Sequence, residues 1–202
     1  MMATPLGVFE LVVLVTIGLC ILAIFTSIII NFTEAKRTKT KYESRSIVDT
    51  GTMTLFFLFF YALIRFKIGE IKMDNLPLRI ILIIIGLSVI ILGTVVNISG
   101  RLKLGKNWAN QIKIYEDQSL VTDGAYGLVR HPLYASLIWM FYGATLIYLN
   151  YAAFLANTLV FVPFMYYRAK QEEALLMKQF KNYGAYKKNV GMFFPKSGGK
   201  KW

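Results

Sequence analysis

The segment Gly124–Tyr134 carries residues suited to binding an anion. It contains His131, the only histidine of the chain, preceded by Arg130 and followed by Pro132. The planar guanidinium of Arg130 presents a fork of donors that matches a carboxylate. Pro132 suits the first turn of a helix, where exposed N–H groups attract anions. The segment therefore predicts an anion-binding loop at a helix N-terminus; the alternative is a basic loop on lipid headgroups, with His131 at the membrane interface.

A second group of ionisable residues follows further along the chain. Arg168 and Glu172 are four residues apart and so share one face of a helix, and Glu173 is the next residue. Two adjacent carboxylates beside an apolar segment are able to hold a cation. The alternative is an exposed ion pair at the start of a solvated helix, which contributes little to stability. The spacing alone leaves both interpretations open.

The composition indicates a membrane protein. Of 202 residues, 56% are hydrophobic and only 17% are charged, whereas soluble domains average about 25% charged residues. The net charge of +12 comes from Lys and Arg between and after the apolar runs, which is typical of loops facing water and anionic headgroups and argues against nucleic-acid binding. Cys20 is the single cysteine, so an intrachain disulfide is excluded, and one histidine with scattered acids predicts no metal site.

The elements that must position these residues are helices in a bilayer. Five apolar runs occur, at 9–32, 53–66, 80–96, 133–148 and 152–167. The first has no preceding Lys or Arg and is too long for a signal peptide. In the third, Gly86, Ser88 and Gly93 would permit close helix contact. The sequence predicts an all-α integral membrane protein with about five transmembrane helices, the last two forming a hairpin joined at residues 149–151.

The distribution of positive charge predicts the orientation. Four of the 23 Lys and Arg residues fall in the loop at 65–79, and the remainder lie on the other side of the five predicted crossings. Cytoplasmic loops carry the excess of Lys and Arg. We therefore expect the N-terminus outside and the C-terminus in the cytoplasm, in a cell membrane or alternatively the endoplasmic reticulum. Segments 100–131 and 168–202 then share the cytoplasmic side and can meet.

Two spaced motifs carry a resemblance to a known family. The first is Gly-x-Tyr-x-x-x-Arg-His-Pro-x-Tyr at 124–134, and the second is Glu-Glu-x-x-Leu-x-x-x-Phe-x-x-Tyr-x-x-Tyr at 172–186. With the hairpin between them, residues 100–195 resemble the isoprenylcysteine carboxyl methyltransferase family of membrane methyltransferases, as a compact prokaryotic-type member. The expected organisation is three transmembrane helices in 1–99, a methyltransferase core in 100–195 with an amphipathic helix from Arg168, and a disordered tail in 196–202.

The resemblance implies S-adenosylmethionine as cofactor and S-adenosylhomocysteine as product, bound by cytoplasmic segments of a membrane fold. In agreement, no Gly-x-Gly-x-x-Gly follows a predicted strand. Arg168 matches the family's arginine for the substrate carboxylate, and Arg168 and Glu172 are the candidate catalytic residues. The residues assigned to the cofactor are Gln111, Gln118, Leu120, Val121, Tyr126, Arg130, His131, Pro132, Leu133 and Glu172.

The expected reaction is methylation of a carboxylate on a lipophilic, isoprenylcysteine-like substrate, either a small molecule or a prenylated molecule, that enters from the membrane lipid. No nucleic acid and no metal are expected as partners. An amine or phospholipid N-methyltransferase is an alternative, although it would need a route for the proton of the amine. A reductase related to the NADPH-dependent sterol reductases is a further alternative, and a membrane scaffold without activity would not explain two motifs on one side.

Overall fold

The computed structural model describes residues 5–34, 40–44, 50–107, 112–115 and 118–196. The expected cofactor residue Gln111 and residues 197–202 of the expected disordered tail lie outside these ranges. Within them the chain is mainly helical, with elements α1 Pro5–Glu34, β1 Thr40–Ser44, α2 Thr50–Arg65, α3 Leu76–Leu104, β2 Ile112–Tyr115, α4 Ala125–Leu128, α5 Pro132–Ile147, α6 Tyr151–Ala156, α7 Val162–Gln179 and α8 Tyr183–Asn189. Two described helices, α1 and α3, are long and apolar enough to cross a membrane, and α2 and α5 are shorter apolar helices.

Helix α3 is longer than the apolar run that predicts it. It begins at a cap in which the Asn75 side chain accepts a hydrogen bond from the Leu78 N–H at 3.0 Å, with Pro77 in the first turn. It continues past residue 96, where Nε of Arg101 donates to Oδ1 of Asn97 at 2.9 Å. The expected division of the chain at residue 99 therefore falls inside a continuous helix.

Glycines bring α3 and α5 into close contact. A Cβ added to Gly86 would lie 2.5 Å from the carbonyl oxygen of Gly143, and one added to Gly143 would lie 2.6 Å from that of Gly86. A Cβ at Gly93 would meet the Met140 side chain at 2.5 Å. The expected role of Gly86 and Gly93 is confirmed, since only a hydrogen atom fits at these positions. Ser88 differs from expectation, because it is exposed and bonds to its own helix at the Ile84 carbonyl.

The predicted hairpin is confirmed. Helix α5 ends at Ile147, Leu149 adopts a positive φ of 45°, and the Asn150 side chain caps the next helix by accepting from the Ala153 N–H at 2.8 Å. Helix α6 continues through a π-helical turn, Asn157–Phe161, into α7. The wide turn directly precedes Pro163, whose ring and missing N–H disturb a regular α-helix. The second hairpin arm and the expected amphipathic helix are thus one rod ending at Gln179.

A small β-ribbon was not predicted and corrects the all-α expectation. Strands β1 and β2 pair antiparallel, with Ser44 opposite Ile112. Ile112 is buried and packs with Leu175 and Leu176 of α7. The ribbon therefore rests on the C-terminal part of the rod, next to the segment that contains the second motif.

Candidate active site

The structure brings the two motif segments together at the start of α5. His131 directly precedes α5 and is buried, with one carboxylate of α7 at each ring nitrogen. Its Nδ1 lies 3.5 Å from Oε2 of Glu172, and its Nε2 lies 3.3 Å from Oε1 of Glu173. Pro132 occupies the first helical position, as expected, and is fully buried. The imidazole is therefore held between two neighbouring residues of one helix.

Glu173 forms the buried part of this arrangement. Only 1% of its side chain is exposed, and its Oε1 accepts from both Nε and Nη2 of Arg130 at 2.8 Å. Its Oε2 lies 2.7 Å from Nζ of Lys187 in α8. Two guanidinium nitrogens on one carboxylate oxygen and an ammonium beside the other neutralise the buried charge. The expectations from sequence named Glu173 only as one of two adjacent carboxylates able to hold a cation and did not place it among the site residues.

The guanidinium of Arg130 points into the protein interior. Besides Glu173, its Nη1 donates to the carbonyl oxygens of Lys187, at 3.2 Å, and of Val190. The backbone N–H of Arg130 also donates to the Gly191 carbonyl at 2.8 Å. These contacts make Arg130 an anchor of the loop, and they give no support to the expected direct contact of its guanidinium with a cofactor.

A second chain of hydrogen bonds joins Arg168 to Glu172 through Tyr134. Nε of Arg168 donates to the Tyr134 hydroxyl at 3.0 Å, and this hydroxyl donates to Oε2 of Glu172 at 3.1 Å. The Tyr134 ring stacks on His131 with centroids 5.6 Å apart. Arg168 is only 7% exposed, so the alternative of an ion pair on a solvated helix start is wrong. Tyr134 ends the first motif, but its bridging role depends on packing that spacing does not reveal.

The charges and hydrogen bonds around His131 favour the ionised forms of Glu172, Glu173 and His131. Burial would raise the pKa of Glu173, but hydrogen bonds from His131, Lys187 and Arg130 outweigh it and lower the pKa to about 2. Burial likewise opposes ionisation of Glu172, and the hydrogen bonds with His131 and Tyr134 lower its pKa below the ordinary value. Burial would lower the pKa of His131, yet the two carboxylates raise it overall. The positive imidazolium is stabilised between two negative groups.

Glu172 differs from Glu173 in its access to solvent. Its side chain is 38% exposed, while the carboxylate of Glu173 is enclosed. Tyr126 in α4 is buried nearby: burial and the charge of Glu172 raise the pKa of its phenol well above the ordinary value. Glu172 is therefore the more accessible carboxylate of the pair.

The remaining expected residues lie around this centre. Gln118 and Val121 are half-buried in the segment that leads to α4, and Leu133 is half-buried in the first turn of α5. Leu120 packs against a cluster formed by Tyr183, Tyr186 and Val190. The structure therefore brings Tyr126, His131, Glu172 and Arg168 into one neighbourhood and gives Leu120 a place in the packing of α8.

The fold and this site define a mainly helical protein with two helices long and apolar enough to cross a membrane, in which the two motifs meet around a buried histidine. Residues 83–178 match the model of the isoprenylcysteine carboxyl methyltransferase family. The matched region is just under half of the chain.

Comparisons with individual proteins agree with that similarity. The chain is 32% identical over 114 residues to a probable protein-S-isoprenylcysteine O-methyltransferase of Oryza sativa subsp. indica, covering 55% of this chain and 60% of that protein. It is 33% identical over 114 residues to the protein-S-isoprenylcysteine O-methyltransferase of Tribolium castaneum, covering 55% of this chain and 41% of the relative. The matched region thus spans less than two thirds of the length of these curated relatives.

A solved structure is also similar. It is that of the eukaryotic intramembrane Ras methyltransferase isoprenylcysteine carboxyl methyltransferase, with a TM-score of 0.58 and 26% sequence identity. The superposition covers 72% of this chain and 53% of the other. The expected resemblance to this family and the mainly helical architecture are therefore confirmed, while the number of membrane crossings stays a prediction.

Proposed function

We propose that this protein is an S-adenosylmethionine-dependent methyltransferase that acts in a membrane on a carboxylate of a lipophilic, isoprenylcysteine-like acceptor. The observation that carries the proposal is the series of side-chain contacts that runs from Arg168 through Tyr134 to Glu172 and His131. It joins a buried cation, suited to an anionic acceptor, to a partly exposed carboxylate, suited to a cationic cofactor. The names of the matched relatives support the same chemistry.

The donor set around Glu172 fits the cofactor. When bound, S-adenosylmethionine supplies a methyl group already activated by a positively charged sulfur, and S-adenosylhomocysteine is its product. Glu172 is ionised and partly exposed, so it can balance positive charge or accept a hydrogen bond from the ligand. Tyr126 offers an adjacent ring, and His131 is held in place by Glu173.

Arg168 is placed to orient the acceptor. It lies one helical turn before Glu172, on the side of α7 that leads back into the apolar hairpin. Guanidinium binds carboxylate with two parallel hydrogen bonds, and a desolvated site strengthens that pairing. An acceptor whose apolar part stays in lipid would thus present its carboxylate at Arg168, while a water-soluble cofactor approaches Glu172 from the opposite side.

The reaction requires positioning more than proton transfer. A carboxylate is already a nucleophile, so no side chain has to act as a general base. The tasks of the protein are to align the two reactants and exclude water from the reacting atoms. The buried arrangement of Arg168, Tyr134 and His131 suits these tasks. The same logic favours an anionic acceptor over an amine, since an amine would need a group to take its proton.

Ligand binding tests the proposal directly. We would titrate S-adenosylhomocysteine, with NADPH in parallel, into the detergent-purified protein by calorimetry. Binding of S-adenosylhomocysteine that is weakened about tenfold or more in Glu172→Gln is expected, because a charge-assisted hydrogen bond is lost. Glu10→Gln is the matched control. Glu10 of α1 forms an exposed ion pair with Arg79 of α3, so this variant should bind S-adenosylhomocysteine normally. Binding of NADPH alone would assign the protein to a reductase chemistry and refute the proposal.

For the membrane arrangement we propose five crossings, with the N-terminus outside and the C-terminus in the cytoplasm of a cell membrane, the endoplasmic reticulum being the alternative. The lengths of α1 and α3, the hairpin and the bias of Lys and Arg support it. In a Cys20→Ser background, a cysteine at Ser119 should be protected from an impermeant maleimide in intact cells. A cysteine at Asp74 should react, and the reverse pattern would contradict this orientation.

A further inference from the structure

The C-terminal strap, which we define as residues 183–194, holds the loop that carries His131. The Tyr186 hydroxyl donates to the Tyr126 carbonyl at 2.6 Å. The backbone N–H groups of Arg130 and His131 donate to the carbonyls of Gly191, at 2.8 Å, and Met192, at 3.2 Å. These bonds fix the path of the loop backbone, but they do not set the orientation of the histidine ring.

Lys187 provides a charged side-chain contact between the strap and the buried carboxylate. Its Nζ lies 2.7 Å from Oε2 of Glu173, and its own side chain is 31% exposed. The other oxygen of Glu173, Oε1, faces His131 and Arg130. The two oxygens of one carboxylate are thus divided between the strap and the histidine loop.

We propose that Lys187 is a positioning residue of the ligand site, which acts by holding Oε2 of Glu173 so that Oε1 stays directed at Nε2 of His131. Without Lys187, one oxygen of a carboxylate that is 1% exposed loses its cationic partner. A buried carboxylate in that state turns toward another donor or takes up a proton. Either response loosens the contact at His131 and, through the ring, the contact of Nδ1 with Glu172.

The identity of the ligand in this inference rests on the proposed function, but the effect on His131 does not. Because His131 is the only histidine of the chain, the Cε1–H proton of its ring gives one NMR signal of this type, whose titration is read without residue assignment. The ring is faced by Glu172 and Glu173 of α7, by Tyr134 of α5, and by the strap. A change in its titration therefore reports on this cluster alone.

The direction of that change separates positioning from simple loss of charge. Removing a nearby positive charge would by itself raise the pKa of His131, since one repulsive partner of the imidazolium is gone. Loosening of Glu173 would instead lower the pKa, since an attractive partner is gone. A lowered pKa in Lys187→Met is therefore the signature of a positioning role.

The experiment compares Lys187→Met, Lys187→Arg and the control Lys188→Met. Lys188 is the next residue, and its side chain is exposed. We expect the His131 titration to move to lower pH in Lys187→Met only, and Lys187→Arg to restore it. S-adenosylhomocysteine affinity should fall about tenfold in Lys187→Met and recover in Lys187→Arg.

A His131 titration that is unchanged or moves to higher pH in Lys187→Met overturns the positioning role, whatever the ligand affinity does. Failure of the wild-type protein to bind S-adenosylhomocysteine overturns the proposed function instead, and the His131 signal still decides the role of Lys187. If Lys187→Met does not fold, Lys187→Gln is used, and the same shift to lower pH is required of it.

Discussion

Replacing Glu173 by Gln removes the negative charge at the centre of a buried ion cluster. Arg130 and Lys187 would then keep their charges, with a neutral amide in place of the carboxylate that contacts them at 2.8 and 2.7 Å. Removing one partner of a buried ion pair costs about 3–5 kcal/mol, because the other charge is left uncompensated. A change of 1 kcal/mol moves the unfolding temperature of a chain this long by about 2–4 °C. The expected decrease is therefore about 6–20 °C.

The assay is thermal unfolding of the purified protein followed by circular dichroism. Glu70→Gln is the matched control, because Glu70 pairs with Lys67 at 3.5 Å with 37% and 72% of their side chains exposed. An exposed pair of this kind contributes at most about 1 kcal/mol. A double variant, Arg130→Met with Glu173→Leu, should regain part of the stability lost in Glu173→Gln, because the buried Arg130 charge is removed together with its partner and only Lys187, which is 31% exposed, keeps an uncompensated charge.

Equal unfolding temperatures for Glu173→Gln and Glu70→Gln would refute the reasoning. That result would mean that the cluster is open to water, or that the amide replaces the carboxylate without loss. A double variant less stable than Glu173→Gln would point to packing, rather than uncompensated charge, as the source of the effect.

Three further predictions concern packing, pH and the bridging tyrosine. Gly143→Ala should cost about 1–3 kcal/mol in unfolding experiments, because its Cβ would meet the Gly86 carbonyl at 2.6 Å, whereas Gly18→Ala meets nothing within 4 Å and should not destabilise. The pKa of His131 is raised in the folded state, so the stabilisation that its protonation provides is complete below about pH 6.5 and is lost as the pH rises through the folded pKa. The unfolding temperature should therefore fall as the pH is raised through this range. His131→Gln should reduce this dependence of the unfolding temperature on pH. Tyr134→Phe should weaken S-adenosylhomocysteine binding about tenfold in calorimetry, because Glu172, the carboxylate that we propose faces the ligand, loses the hydrogen bond from the Tyr134 hydroxyl. Unchanged affinity would show that this hydroxyl has no part in ligand binding.

The sequence predicts the hairpin and the meeting of the two motifs because these follow from apolar runs, turn residues and charge distribution. It does not predict which carboxylate of the pair turns inward. Successive residues on a helix point about 100° apart, so the choice between Glu172 and Glu173 depends on what packs against α7. The partner Lys187 lies fourteen residues later in another helix, and no local pattern connects them.

Two other features also depend on distant parts of the chain. The β-ribbon pairs Ser44 with Ile112, and neither strand is long enough to be recognised from its own alternation. Helix α3 extends beyond its apolar run because Asn97 finds a partner in Ser136 of α5, at 2.8 Å. Polar residues end an apolar segment in a sequence, but they continue a helix when a neighbouring helix satisfies them.

We expect the two adjacent carboxylates to divide stability and ligand binding between them. Glu173 is enclosed by Arg130, Lys187 and His131, so a change of its partners requires breaking the buried cluster. Glu172 keeps 38% of its side chain exposed and shares its Oε2 with His131 and Tyr134. Substitution of Glu172 should therefore reduce affinity more than stability, and substitution of Glu173 should reduce stability at least as much as affinity. Measuring both quantities in both variants tests this division, and the reversed pattern would assign the ligand to Glu173.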